Sequence, residues 1–179
     1  MLAKPVFAAP MIYSFHEDLR NILMDYRIQP GMNITRNLVL TLSMLAVLPA
    51  FAEKADPVNK DGKGVAIKGY DAVAYFKQSQ PVKGSPSFTH QWMNSTWWFA
   101  SAEDRDEFAR GPEKYAPQYG GYCAYGVSQN HTAPIDPEAW TIVDGKLYLN
   151  YSKGVKKTWS QQIPKYVEDA NHNWPELHK

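Results

Sequence analysis

The sequence predicts an α+β fold in which small antiparallel β-hairpins pack against two or three short helices. Three observations carry this reading. Residues 88–92 alternate, with Phe88, His90 and Trp92 on one face and Thr89 and Gln91 on the other, and Asn94-Ser95 turns the chain back into 96–99. Asp144-Gly145 joins residues 140–143 to 146–151, and Asp-Gly suits the type I′ turn of a tight hairpin. Finally, Trp159, Ile163, Tyr166, Val167 and Ala170 recur at helical spacing.

The remaining elements follow in chain order. Residues 53–64 are polar, with Pro57 and two glycines, and read as a flexible leader to a domain spanning 65–179. Residues 65–76 mix apolar side chains with Gly69-Tyr70-Asp71 and read as a strand running into a short helix. Ser101 has the character of an N-cap, with Asp104 three residues on as a weaker capping-box partner; Phe108 follows within the helix, which Gly111-Pro112 ends. The stretch 115–128 is rich in Gly and Tyr, so that its backbone can approach other groups closely. Pro164 breaks or restarts the last helix. The expected core is aromatic: Trp92, Trp97, Phe99, Phe108, Trp140, Tyr148 and Trp159.

The chain begins with a different kind of segment. From Met32, a short positive region with Arg36 precedes the apolar run 38–48, after which Ala50 and Ala52 occupy the −3 and −1 positions of a cut before Glu53. That is the layout of a secretory signal peptide over 32–52, and the run is shorter than the ~20 apolar residues that span a bilayer. Residues 1–31 then read as a start assigned too far upstream, or as a disordered extension. The expected location is the periplasm or the exterior, with no stable membrane insertion after cleavage. An uncleaved anchor and a buried core helix are the competing readings of the same run.

Composition narrows the function. With 44% hydrophobic residues and a net charge of +1 over 179 residues, the chain is globular and carries no positive field for nucleic acid. From Glu53 onwards, basic and acidic residues are equal in number. A single cysteine excludes an internal disulfide and a site built from several thiolates. All six tryptophans follow the expected cut, enough aromatic bulk for about 127 residues to fold without disulfides.

The run Phe99-Ala-Ser-Ala-Glu-Asp-Arg-Asp-Glu-Phe108, followed by Pro112-Glu-Lys-Tyr115, resembles the YHS domain: an aromatic hairpin, a Ser-capped helix ending in Phe and a Pro-Glu-Lys-Tyr close. This match spans residues 69–115. The downstream Gly120-Gly-Tyr-Cys-Ala-Tyr-Gly-Val-Ser128, Asp136-Pro137, Trp140 and residues 143–150 resemble the longer, exported bacterial members of that group. Members attached to metal-transporting ATPases have cysteines in the motif, which implies soft-metal binding for them. Here Ala74, Ala100 and Asp104 hold those places. Two of the three cannot coordinate a metal, so the family's thiol site does not carry over.

The chemical candidates that remain are few. Cys123, set among Tyr119, Tyr122 and Tyr125, is either a small buried hydrophobe, a soft-metal thiolate or a nucleophile. With His90 or His131 as the imidazole it would bind copper or zinc, and Tyr122 and Tyr125 would line a ligand site. His90 is equally explained by packing on aromatics, and His131 by a solvated loop. Met93 points opposite to His90 along the strand. Asp136 and Asp144 are accounted for by turns, and His172 and His178 fall in a terminal segment with no role beyond the surface. Gly120-Gly121 lacks the lysine and helix of a phosphate loop. The leading expectation is a non-enzymatic module for a soft metal or a small molecule; the alternatives are a thiol-dependent redox protein or enzyme using Cys123, and a scaffold without chemistry.

Overall fold

The structure is a computed structural model that describes residues 54–179. The expected signal peptide, the segment 1–31 and Glu53 lie outside the described residues. Two separate two-stranded antiparallel sheets form the β part of an α+β fold. The first pairs β1 (Ser85–Trp92) with β2 (Ser95–Phe99), and the second pairs β3 (Asp136–Val143) with β4 (Lys146–Asn150). The two or three expected helices are six among the described residues: α1 (Ala74–Lys77), α2 (Ala102–Arg110), α3 (Pro112–Tyr115), α4 (Ala124–Ser128), α5 (Lys153–Trp159) and α6 (Ile163–Leu177). None is long and apolar enough to cross a membrane.

Both hairpins close on two-residue turns. Asp144 and Gly145 take positive φ between the paired Val143 and Lys146, as a type I′ turn requires. In the first hairpin the turn is Met93-Asn94, one residue earlier than expected, because Trp92 pairs with Ser95. Met93 therefore sits at φ 47°, a left-handed conformation that is uncommon for its type, and remains 46% exposed.

Within the second hairpin β4 is buried on both faces over residues 147–150, which explains the apolar run Leu147-Tyr148-Leu149. Leu147 and Leu149 enter one core cluster with Trp97, Phe99 and Phe108, while Tyr148 between them enters another with Trp159 and Ala170. The period-2 alternation of β4 thus splits the core into two halves that share one hairpin. Of the expected core aromatics, Trp97, Phe99, Phe108, Tyr148 and Trp159 are buried; Trp92 and Trp140 are half-buried at its margin. Ser101 caps α2, its hydroxyl accepting the Asp104 N–H at 3.1 Å.

Residues 54–64 are not a detached leader. Val58 is 1% exposed, the Asn59 N–H donates to Gly120 O at 2.8 Å, and its side-chain amide donates to Gly121 O at 2.9 Å. Gly120 permits this approach: a Cβ there would lie 1.9 Å from Pro57 O. The polar composition had suggested solvent, but one valine and backbone pairing anchor the strap. Ala55 also exchanges backbone hydrogen bonds with Leu177 and Lys179, joining the strap to the end of α6.

Residues 65–76 hold no full strand. Val65 makes a single bridge to Thr96, a 3₁₀ turn follows at Ile67–Gly69, and α1 begins only at Ala74. Asp71 organises this segment. Its buried carboxylate accepts the N–H groups of Val73 (2.8 Å) and Ala74 (3.2 Å) on Oδ1 and that of Ala100 (2.8 Å) on Oδ2. One side chain therefore starts α1 and ties it to the end of β2. Of the three places where the resembling motif has cysteines, Ala74 is buried, Asp104 is buried against Lys77 Nζ at 3.0 Å, and Ala100 is half-buried with its N–H on Asp71.

Candidate functional site

Cys123 lies at the start of α4, beside β4, and is 1% exposed. Its sulfur accepts the Tyr151 N–H at 3.2 Å and the Gly126 N–H at 3.4 Å, and lies 3.8 Å from Asn150 Oδ1. Asn150 Oδ1 in turn accepts the Tyr125 N–H at 3.2 Å. The thiol thus fastens the start of a short helix to the end of a strand, filling an acceptor's place between backbone donors. This is the small-buried-residue reading of the sequence, with a hydrogen-bonding duty added.

The two imidazoles do not join it. His90 packs on the edge of Phe108, ring centroids 6.0 Å apart, on the same face as Trp92. His131 is exposed in its loop, with Nδ1 3.3 Å from Gln129 O. Its ring passes close to Gly126, yet among the described residues no group of three or more His, Cys, Asp and Glu side chains is arranged to hold a metal. Cys123, His90 and His131 therefore form no such three-residue group, and no hydrogen bond joins the thiol to either imidazole. Strand alternation and loop placement send the three side chains to different partners.

The expected ligand-lining tyrosines are packed on other rings. Tyr125 meets Tyr166 edge-on at 5.2 Å, and Tyr122 lies 5.9 Å from Trp174. Burial raises the phenol of Tyr122, and far more strongly those of Tyr75 and Tyr119, which suits packing roles.

A groove lies elsewhere, between the tip of the first hairpin and the last two turns of α6. Its inner half has a volume of about 170 Å³ and is lined by Trp92, Met93, Trp97, Pro117, Trp174 and His178. The outer half, about 290 Å³, shares Trp92, Ala116, Pro117 and Trp174 with it and adds Tyr119 and Glu113. Trp92 is held against Trp97, whose indole N–H donates to Trp92 O at 3.2 Å. His178 stacks flat on Trp174, 4.3 Å between centroids and 8° between planes, and its Nδ1 donates to Trp174 O at 2.7 Å. Because a carbonyl oxygen only accepts, Nδ1 is the protonated nitrogen in that bond, and in the neutral ring Nε2 is the acceptor.

His178 is therefore not a plain surface residue, a correction to its reading as part of an idle tail. The clue was present in the sequence: Trp174 and His178 stand four apart, the spacing at which helical side chains meet. Nothing local could have paired Trp174 with Trp92, however, since their juxtaposition depends on how α6 packs.

Compared with protein families, with curated proteins and with solved structures, the chain matches none. The resemblance to the YHS domain accordingly rests on the motif residues 99–115 and their downstream neighbours alone.

Proposed function

We propose that this protein is a non-enzymatic binding module for a small organic molecule held in the groove between Trp92 and Trp174. One observation supports the reading above the others. Two tryptophans from distant parts of the chain line a common groove with Pro117, each braced by a neighbouring ring of the same wall, Trp97 for Trp92 and His178 for Trp174. Concave apolar sites with a few fixed polar groups are the usual form of small-molecule sites, and here the His178 Nε2 acceptor is one such group. Of the two ligand classes expected from sequence, the small molecule is favoured, because the soft metal lacks converging donors among the described residues. The thiol reading has less support, since Cys123 is sealed and already engaged by two N–H donors.

Export and membership of the YHS group belong to the same proposal. The motif residues support the membership, and residues 32–52 support export. N-terminal sequencing of the native protein should find a first residue near Glu53; an intact Met1 would remove the export part.

The binding claim is tested by titrating the protein with p-cresol, a neutral probe of suitable size, while following tryptophan fluorescence. A dissociation constant of about 1 mM or tighter is expected, equivalent to about −4 kcal/mol. Trp174→Ala should abolish it while leaving the thermal unfolding cooperative. Equal quenching in the variant would reject the groove as the site.

A further inference from the structure

We infer that the groove selects a small organic cation of the methylated-ammonium type; the inference rests on the binding role proposed above. Its residues carry the argument. Three aromatic side chains, Trp92, Trp174 and Tyr119, line the outer half, and Glu113 is the single charged side chain among the lining residues of either half. No lysine or arginine lines the groove, so an anion would meet π-electron density and a carboxylate with no positive partner.

The type of cation follows from the same walls. The positive charge of a trimethylammonium group is spread over C–H groups that need no hydrogen-bond acceptor, and aromatic rings attract it through their quadrupoles. Against the Ala116, Pro117 and indole walls a primary ammonium or a hydrated metal ion would surrender hydrogen bonds, and only the Glu113 carboxylate and the amides of Gln118 and Asn171 offer acceptors in exchange. Of the polar side chains in the outer half, the Tyr119 hydroxyl is engaged by Asn171 Oδ1 at 3.0 Å, which leaves the amides of Gln118 and Asn171 at its edge. A volume of about 290 Å³ accommodates a choline-sized ion with Glu113 at the open side.

The test compares choline with 3,3-dimethylbutan-1-ol, its uncharged carbon isostere, by tryptophan fluorescence and calorimetry on the same protein. Choline should bind about tenfold more tightly, the scale of a cation over desolvated aromatic faces. Glu113→Gln should weaken choline by about threefold and leave the alcohol unchanged, as expected of an exposed charge partner. Equal affinity for the two probes would overturn the cation assignment while leaving the groove a ligand site. Binding of neither probe would overturn the assignment too, and the p-cresol titration then reports separately on the groove. A preference for choline that survives Glu113→Gln and Trp174→Leu together would also overturn it, because the recognition would lie outside these walls.

Discussion

Replacement of Asp71 should reveal how much of the fold hangs on one buried carboxylate. The side chain is 0% exposed and accepts three backbone N–H groups, two at the start of α1 and one at the end of β2. Asp71→Ala leaves three buried donors without acceptors; at about 1 kcal/mol or more for each, the loss is about 3 kcal/mol after the relief of a buried charge is allowed for. Asp71→Asn is milder. Its amide oxygen can keep Val73 and Ala74, but its NH₂ then faces the Ala100 N–H, donor against donor, for a loss of about 1–2 kcal/mol. Urea unfolding at pH 7 reads both. With a slope of about 1.5 kcal/mol/M for a domain of this size, the alanine variant should unfold about 2 M earlier.

The pH dependence adds a sign. Burial, aided by the nearby Asp104, raises the Asp71 carboxyl above its ordinary 3.8, and this outweighs the three N–H bonds that pull it down. The folded state then binds this proton more tightly than the unfolded chain. Its contribution to stability is present at low pH and declines as pH rises from about 3.8 through the folded value. The gap between the wild type and Asp71→Asn, which has no proton to titrate there, should therefore widen as the pH is lowered through that window. A narrowing gap would show that the N–H bonds win over desolvation, and an alanine variant within about 0.5 kcal/mol of wild type would show that water reaches the three donors.

Three further outcomes follow from the packing. Burial raises the phenols of Tyr75, Tyr119, Tyr122 and Tyr148 above the ordinary 10, so the folded state retains protons that the unfolded chain releases, and stability should fall as pH rises beyond about 10. Tyr75→Phe, which loses a bond to Pro137 O at 3.1 Å, should be about 1 kcal/mol weaker at pH 7 but less sensitive to alkali, and urea midpoints between pH 9 and 12 check both. Native Cys123 should resist iodoacetamide until urea unfolds the chain, and Cys123→Ala should lose about 1–3 kcal/mol by orphaning the Gly126 and Tyr151 N–H groups; rapid native alkylation would contradict its sealing. Gly120→Ala should lose more than about 3 kcal/mol against Pro57 O, whereas Gly62→Ala, with nothing near its Cβ, should stay within about 0.5 kcal/mol, and equal midpoints for the two would undo the account of the strap.

What the sequence disclosed was set by distance along the chain. The two hairpins, the Ser101 cap and the break near Pro164 are governed by neighbours within a few residues, and they stand as expected apart from the one-residue shift to Met93-Asn94. The short helices α3 and α4 lie where Gly, Pro and Tyr obscure any helical period. The strap 54–64 was misread because its anchoring comes from Gly120 and Leu177, more than fifty residues away. The surroundings of the candidate site were hidden from the sequence for a related reason. Cys123, His90 and His131 were joined by chemical type, and only the packing of α4 against β4 reveals that the thiol's partners are backbone N–H groups. The groove was invisible because Trp92 reads as core and Trp174 as tail until α6 brings them together.

The groove claim is best tested by the six indole N–H resonances, one for each tryptophan, in ¹H–¹⁵N spectra recorded during a choline titration. The account predicts saturable shifts confined to Trp92, Trp97 and Trp174, with Trp98, Trp140 and Trp159 unmoved. Shifts centred on Trp98, Trp140 or Trp159, or none that saturate for any of the six with either choline or p-cresol, would contradict it.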